Sequence, residues 1–199
     1  MEGIKLILAS QSPRRKELIK GLDIPVEIAD SYDFDESYPP TLPADEVAVY
    51  LAEKKSDACP LILNDNEVLV TADTLVKCNG ELLGKPCNGQ QAREMLRKLS
   101  GNKHEVITGV CLRTTTVKKS FGVKSSVFFY SLTYRDIEYY VEKYNPADKA
   151  GAYGIQEWIG YIGIEKIEGS FYNIMGLPVA RLWKELNIIC STKIACIHD

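Results

Sequence analysis

Histidine is almost missing from this 199-residue chain, with two occurrences, and the six cysteines (Cys59, Cys78, Cys87, Cys111, Cys190 and Cys196) contain no Cys-x-x-Cys pair. That scarcity argues against a zinc site and offers no disulfide framework, so the thiols read as reduced and mostly structural, in a cytoplasmic setting. No apolar run approaches the roughly 20 residues of a membrane span. Met1-Glu2-Gly3 is acidic and the apolar stretch behind it reads as a strand, so no secretory signal is expected. Charge of one sign is lacking too: the formal net charge is −3, with Lys and Arg interspersed among Asp and Glu. No basic stripe is available for a nucleic-acid polymer, whereas a few converging cations would still hold a small anion. GxxxxGK[ST], GxGxxG, GxSxG and HExxH are all absent. Their absence removes support for a P-loop enzyme, a Rossmann dehydrogenase, an α/β-hydrolase and a zincin.

What is present is an alternation of short apolar runs with helical patterns, which predicts an α/β class, either as one domain of good size or as two small lobes around a cleft. Leu6 to Ala9 reads as a first strand, Arg14 to Lys20 as a helix ending at Gly21, and Ile24 to Ala29 as a second strand. Ser31 to Pro43 is acidic and Pro-bearing, hence loop. Val47, Leu51 and Ala58 set a helical spacing over Ala44 to Ala58, with Asp45 and Glu46 at its favourable N-terminal end. Glu67 to Ala72 is expected to be a strand that stops at Asp73-Thr74. Leu75 to Cys78 and Glu81 to Leu83 flank Asn79-Gly80, a strong hairpin signal. Asn88 with Gln91 caps a helix through Leu99. Glu105 to Thr116 and Ser120 to Leu132 are β-rich and expected to pair as a long antiparallel hairpin, and Thr133 with Asp136 starts a helix to about Tyr144. Lys149 to Gly176 is dense in Gly and aromatics, as a cleft wall would be. A last helix is expected from about Leu177 to Leu186. Residues 187–199 show no periodicity and are set aside as a peripheral tail to a domain spanning 1–186.

Four elements could carry chemistry. Ser10-Gln11-Ser12-Pro13-Arg14-Arg15 follows the first strand with hydroxyls, a first-turn Pro and two guanidinium groups, all suited to phosphate; the same residues would equally make an ordinary strand-to-helix turn. Asp73 in Thr71-Ala72-Asp73-Thr74 lies where α/β folds place ligand groups, or is a turn Asp. Lys85 in Gly84-Lys85-Pro86 is a positioned cation or a solvated loop lysine. Asp35-Glu36, opposed by Lys54-Lys55, could bind Mg²⁺ through one or two carboxylates plus substrate phosphates, or be a solubilising loop. Together Arg14, Arg15, Lys55 and Lys85 supply cations for a polyphosphate, and Glu36 and Asp73 supply metal ligands or a base. That set meets the needs of phosphoanhydride hydrolysis: charge neutralisation on the leaving group, a metal and an activated water.

Leu8-Ala9-Ser10-Gln11-Ser12-Pro13-Arg14-Arg15 with Glu17-Leu18, Leu51-Ala52-Glu53-Lys54-Lys55, Ala72-Asp73-Thr74, Gly84-Lys85-Pro86, His104 with Thr108-Gly109, and Gly169 to Pro178 (GSFYNIMGLP) resemble, in identity and order, the Maf family of nucleotide pyrophosphatases. The resemblance runs from Leu6 to about Leu186. It implies an elongated mixed α/β sheet with flanking helices and two lobes around a cleft, like inosine triphosphate pyrophosphatases. It further implies hydrolysis of a nucleoside triphosphate to the monophosphate and pyrophosphate with Mg²⁺ or Mn²⁺ as cofactor. On that basis Asp73, Lys55 and Lys85 are the expected catalytic residues, with Ser10, Arg14, Arg15, Thr74 and Gln156 binding substrate. Glu36 and Asp73 are the expected metal ligands, and Asp33 and Asp35 are alternatives to Glu36. Ala152-Tyr153-Gly154-Ile155-Gln156 is similar to the branch acting on dTTP and UTP, whose specificity positions fall on Arg14, Thr74 and Gln156. Modified pyrimidine nucleotides are compatible with the same pattern. The alternatives are a non-catalytic nucleotide-binding regulator of cell division, and a pyrophosphatase for purine nucleotides or 7-methyl-GTP. The expected partner is the nucleotide alone, without polymer or membrane, and a homodimer is left open. Ser56 stands where the family often has Ala.

Overall fold

The computed structural model describes residues 3–195. The strands are β1 (Lys5–Leu8), β2 (Val26–Ile28), β3 (Glu67–Cys78), β4 (Glu81–Leu83), β5 (Lys103–Arg113), β6 (Lys118–Phe129) and β7 (Ile164–Glu168). The helices are α1 (Pro13–Lys20), α2 (Ala44–Ala58), α3 (Gly89–Leu99), α4 (Tyr134–Tyr144), α5 (Trp158–Gly163), α6 (Phe171–Ile174) and α7 (Val179–Ala195), with two 3-10 turns at Pro146–Asp148 and Ala150–Ala152. The strands form one mixed sheet in the order β2-β1-β3-β5-β6-β7, with β4 on β3. By contacts the chain divides into two compact units. One holds the residues up to Asp73, Thr108–Val123 and those from Gly176 on; the other holds Thr74–Ile107 and Lys124–Met175.

In the first unit β1 pairs in parallel with both β2 and β3. Parallel strands covered on both faces are apolar on both faces, and β1 obeys that rule. Leu6 and Leu8 enter a cluster with Val68, Val70, Ala72, Val110, Leu112, Leu177, Leu182 and Leu186, while Ile7 and Ala9 join Ala29, Cys59 and Leu69 on the other side. The period of two therefore separates β3 into an even row facing one core and an odd row, Leu69, Thr71 and Asp73, facing the other way. The Thr71 hydroxyl on that odd row donates to the Ala52 carbonyl of α2 at 2.6 Å. α2 approaches β5 so closely that a Cβ on Gly109 would lie 2.2 Å from the Ala48 carbonyl oxygen.

In the second unit β3 turns into β4 through Asn79 (φ 51°) and Gly80 (φ 82°), the left-handed pair that a two-residue hairpin requires. α3 is capped by Asn88, whose side chain accepts from the Gln91 amide, and buries Ala92, Met95, Leu96 and Leu99 on one stripe. It packs on α4, which opens with a reciprocal cap between Thr133 and Asp136 and buries Ile137, Tyr140 and Val141. β7 pairs antiparallel with β6.

Three expectations need correction. β3 does not stop at Asp73-Thr74: it runs on to Cys78, and Asp73 lies inside it. The change of partner explains this, because the parallel register with β1 ends at Leu8 and Val70 while the antiparallel register with β4 starts at Val76. The helix expected to end near Leu186 continues to Ala195, with Ile189 and Cys190 buried, so residues 187–195 are not a peripheral tail. The buried stripe Leu182, Leu186, Ile189 keeps helical spacing, which the flanking polar residues obscure in sequence. Cys196 lies outside the described residues. The Gly- and aromatic-rich stretch before α7 also holds β7 and two short helices that its composition did not announce.

Two substitutions test the α2 packing in opposite directions. Gly109→Ala drives a methyl group into the α2 backbone and is expected to destabilise by about 3 kcal/mol, the upper end of overpacking costs. Ser56 is fully buried on α2 and its hydroxyl has no hydrogen-bond partner. Ser56→Ala is accordingly expected to stabilise by about 1 kcal/mol. Urea unfolding of the three proteins measures both shifts; an unchanged midpoint for Gly109→Ala would contradict the close approach.

Candidate active site

The loop after β1 and the start of α1 supply the first residues of the site. Ser12 caps α1 by accepting from the Arg15 amide, Pro13 occupies the first turn, and Ser10 accepts from the Ser12 amide at 3.3 Å. Arg15 Nε donates to the Gly176 carbonyl at 2.8 Å and its Nη1 to the Ser10 hydroxyl at 3.4 Å. Burial pulls the Arg15 guanidinium below its ordinary range; Asp73 opposes the shift and Arg14 adds to it. Gln11 is held by the Ala29 carbonyl and by Lys16, away from any such role.

Lys55 and Asp73 meet next to them. Three residues along α2 from Ala52 and two along β3 from Thr71 bring the Lys55 ammonium to 2.5 Å from Asp73 Oδ1, with the side chains 13% and 17% exposed. The Lys55 ammonium also lies 4.8 Å from the centre of the Phe34 ring. Burial lowers the Lys55 pKa; Asp73 resists this, Arg15 reinforces it, and Glu36 resists it in turn. Arg15, Lys55, Asp73 and Glu36 thus act on one another electrostatically, with Arg14 acting on Arg15.

The acidic loop sorts its own carboxylates. Asp35 accepts from the Ser37 amide at 2.9 Å, from the Ser37 hydroxyl at 2.5 Å and from Lys54 at 2.8 Å, and the Lys54 contact holds it well below the usual carboxylate range. Glu36 is exposed and acts on Lys55. Tyr32 donates to the Lys55 carbonyl at 2.7 Å, tying the loop to the end of α2. Asp35 is therefore occupied with loop structure.

The second unit holds Thr74, Lys85 and Gln156. Lys85 is exposed and makes no ion pair among the described residues, while Gly84 beside it accepts from the Gly151 amide at 3.0 Å. Gln156 is half-buried and its Oε1 is buried without a hydrogen-bond partner. The Tyr153 hydroxyl lies 2.8 Å from His104 Nε2, and both rings stack edge-on with Phe129. Among the described residues no group of three or more His, Cys, Asp and Glu could hold a metal.

Residues 5–189 match the family described as Maf-like protein. The chain belongs to the Maf family. Among its relatives, the dTTP/UTP pyrophosphatase of Bacteroides thetaiotaomicron is 53% identical over 186 residues, which is 94% of this chain and 96% of the relative. That of Parabacteroides distasonis is 50% identical over 182 residues, 92% and 94% of the two chains. Among solved structures, a nucleoside-triphosphatase / dITP/XTP pyrophosphatase from Mycobacterium abscessus aligns with a TM-score of 0.40 and 13% identity, over 65% of this chain and 76% of that one.

Several residues of this Maf chain that shape the site escape a reading by residue type. Gly176 contributes only its carbonyl, which fixes Arg15. In the GSFYNIMGLP segment Asn173 is fully buried and donates to the Val106 carbonyl and the Ser125 hydroxyl, so the motif is mainly a scaffold that delivers Gly176 and the core residue Leu177. Phe34 touches Lys55 through its ring face, a contact with no sequence signal beyond an aromatic in an acidic loop.

His104 is likewise interior: it is 1% exposed, and burial lowers its pKa from 6.5 to about 4. Between those values the unfolded chain accepts a proton that the folded protein refuses. The contribution is complete above pH 6.5 and shrinks as pH falls toward 4. Between pH 7.5 and 5.5 the protein should lose about 1 kcal/mol of unfolding free energy from this group, and His104→Gln should flatten the slope. Urea titrations at the two pH values measure it; an identical slope in the variant would show that His104 does not carry it.

Proposed function

We propose that the protein is a nucleoside triphosphate pyrophosphatase, acting on dTTP and UTP and on related modified pyrimidine nucleotides, and releasing the monophosphate and pyrophosphate. The observation that carries this is the cluster of Arg14, Arg15, Lys55, Glu36 and Asp73, in which three cations and two carboxylates share one site. Relatives named dTTP/UTP pyrophosphatase at about half identity over nearly the whole chain support the choice of reaction and of base. A cytoplasmic, house-cleaning role suits described cysteines that are all free and described helices too short or too polar to cross a membrane.

In this scheme a water oxygen attacks the α-phosphorus, the bond from that phosphorus to the α,β-bridging oxygen breaks, and the pyrophosphate leaves with the bridging oxygen. Asp73 orients the water and accepts its proton. Lys55 holds one oxygen of Asp73 and thereby fixes the direction of the other. Arg14, Arg15 and Lys85 neutralise the charge that develops on the leaving group. Two carboxylates, Glu36 and Asp73, suit Mg²⁺ or Mn²⁺, which commonly take one or two protein carboxylates and complete their shell with phosphate oxygens and water. Such an ion would supply Lewis-acid stabilisation of the phosphate oxygens. Tight ligation by Asp73 would compete with proton acceptance, so Glu36 is the better candidate for the firmer ligand. Gln156 offers an amide donor and acceptor matched to the O4 and N3-H edge of thymine or uracil. A regulator that binds nucleotide without turnover would need the arginines but not the half-buried Lys55 and Asp73 pair.

Asp73→Asn removes the base while keeping the shape of the side chain. It is expected to lower pyrophosphate release from dTTP on the order of a thousandfold, with the unfolding midpoint little changed. Lys85→Ala should cost about a hundredfold. A folded Asp73→Asn protein that hydrolyses dTTP at the wild-type rate would overturn the proposal.

A further inference from the structure

The segment from Tyr153 to Glu157 is clamped at three points, all within the second unit. Tyr153 is held by His104. The Gly154 amide donates to the Tyr140 hydroxyl at 2.9 Å, and that same hydroxyl donates to Glu157 Oε2. Glu157 Oε1 lies 3.1 Å from the Lys149 ammonium, which is 8% exposed and also pairs with Asp148 at 2.7 Å. The Glu157 amide closes the turn onto the Gly154 carbonyl at 3.0 Å. A Cβ on Gly154 would stand 2.7 Å from the Glu157 carboxyl carbon, so the backbone and the carboxylate approach as only glycine permits. Tyr140 is itself fully buried and stacked on Tyr144. Every polar atom just named has a partner, whereas the residue between Ile155 and Glu157 does not: the Gln156 Oε1 is buried and unpaired.

A phenol hydroxyl has one donor and two acceptor positions. Here it spends the donor on a side chain and one acceptor on the backbone two residues before Gln156. A buried charged network of this kind contributes little to net stability for its desolvation cost, and its clearest return is a single fixed geometry. We propose that Tyr140, Glu157 and Lys149 form a positioning network that fixes the backbone of Gly154 to Glu157 and so holds the Gln156 amide in the orientation that discriminates pyrimidine bases. These are positioning residues: none is assigned a contact with substrate. The inference rests on Gln156 as the reader of the base.

The test measures kcat and KM for dTTP, UTP, CTP and GTP in the full chain. Tyr140→Phe keeps the ring and removes both hydrogen bonds. It is expected to cut kcat/KM for dTTP and UTP about tenfold, mainly through KM, so that the preference over GTP falls about tenfold. In a Gln156→Ala background the same change should have no further effect on that preference. Glu157→Ala should behave as Tyr140→Phe does, and Glu157→Gln, which retains an acceptor for the phenol, should restore most of the preference. If Tyr140→Phe does not fold, the Glu157 pair carries the test. A Tyr140→Phe or Glu157→Ala enzyme that keeps the dTTP preference while Gln156→Ala loses it would refute the network and leave the role of Gln156 standing. Equal loss on all four nucleotides would make the network purely structural and refute the inference. If Gln156→Ala itself keeps the preference, the base-reading role falls and the network's role with it.

Discussion

Lys55 and Asp73 depend on each other. Burial alone would drive the Lys55 ammonium toward its neutral form, and the carboxylate beside it is what resists that shift. The pair in turn depends on a spacing coincidence between a strand and a helix. Residues two apart on β3, Thr71 and Asp73, meet residues three apart on α2, Ala52 and Lys55. The helix can come that near because Gly109 on β5 has no side chain where α2 passes. The chemistry of the site is thus set by a packing distance.

Most of the regular elements were legible because their signals are local. Asn79-Gly80, the Asn88 cap, the Thr133 and Asp136 pair and the α2 spacing each name a turn or a helix end, and each stands where its chemistry places it. The errors share a cause, since each was decided by partners distant in sequence. Nothing near Asp73 reveals that β3 exchanges one partner strand for another and runs on. Likewise Ile189 is buried in one cluster with residues of β1, β3, β5 and β6 that lie far off in sequence, so a helix end read from polarity alone falls short.

The site divides in the same way. Arg14, Arg15, Lys55, Glu36 and Asp73 are chemically conspicuous, and the fold collects them in one unit. In the acidic loop Lys54 occupies Asp35, one of the two alternatives to Glu36. Backbone contributions such as the Gly176 carbonyl have no residue-type signature at all. The carbonyl oxygen of Gln156 is conspicuous for the opposite reason: among well-paired neighbours, it alone lacks a partner on its segment.

Arg15 divides its guanidinium between two tasks. Its Nε is committed to the Gly176 carbonyl, 161 positions away, and its Nη1 reaches the Ser10 hydroxyl. A planar group with five donors in a fixed fork can hold both acceptors at once, bracing the segment that begins at Gly176 against the loop after β1. An ammonium cannot, because its three donors radiate from one atom on a flexible stem. At this position, then, arginine and lysine are not alternative sources of one positive charge. Exchanging them would release Ser10 and Gly176 from a shared anchor and alter the local electrostatics in a single step.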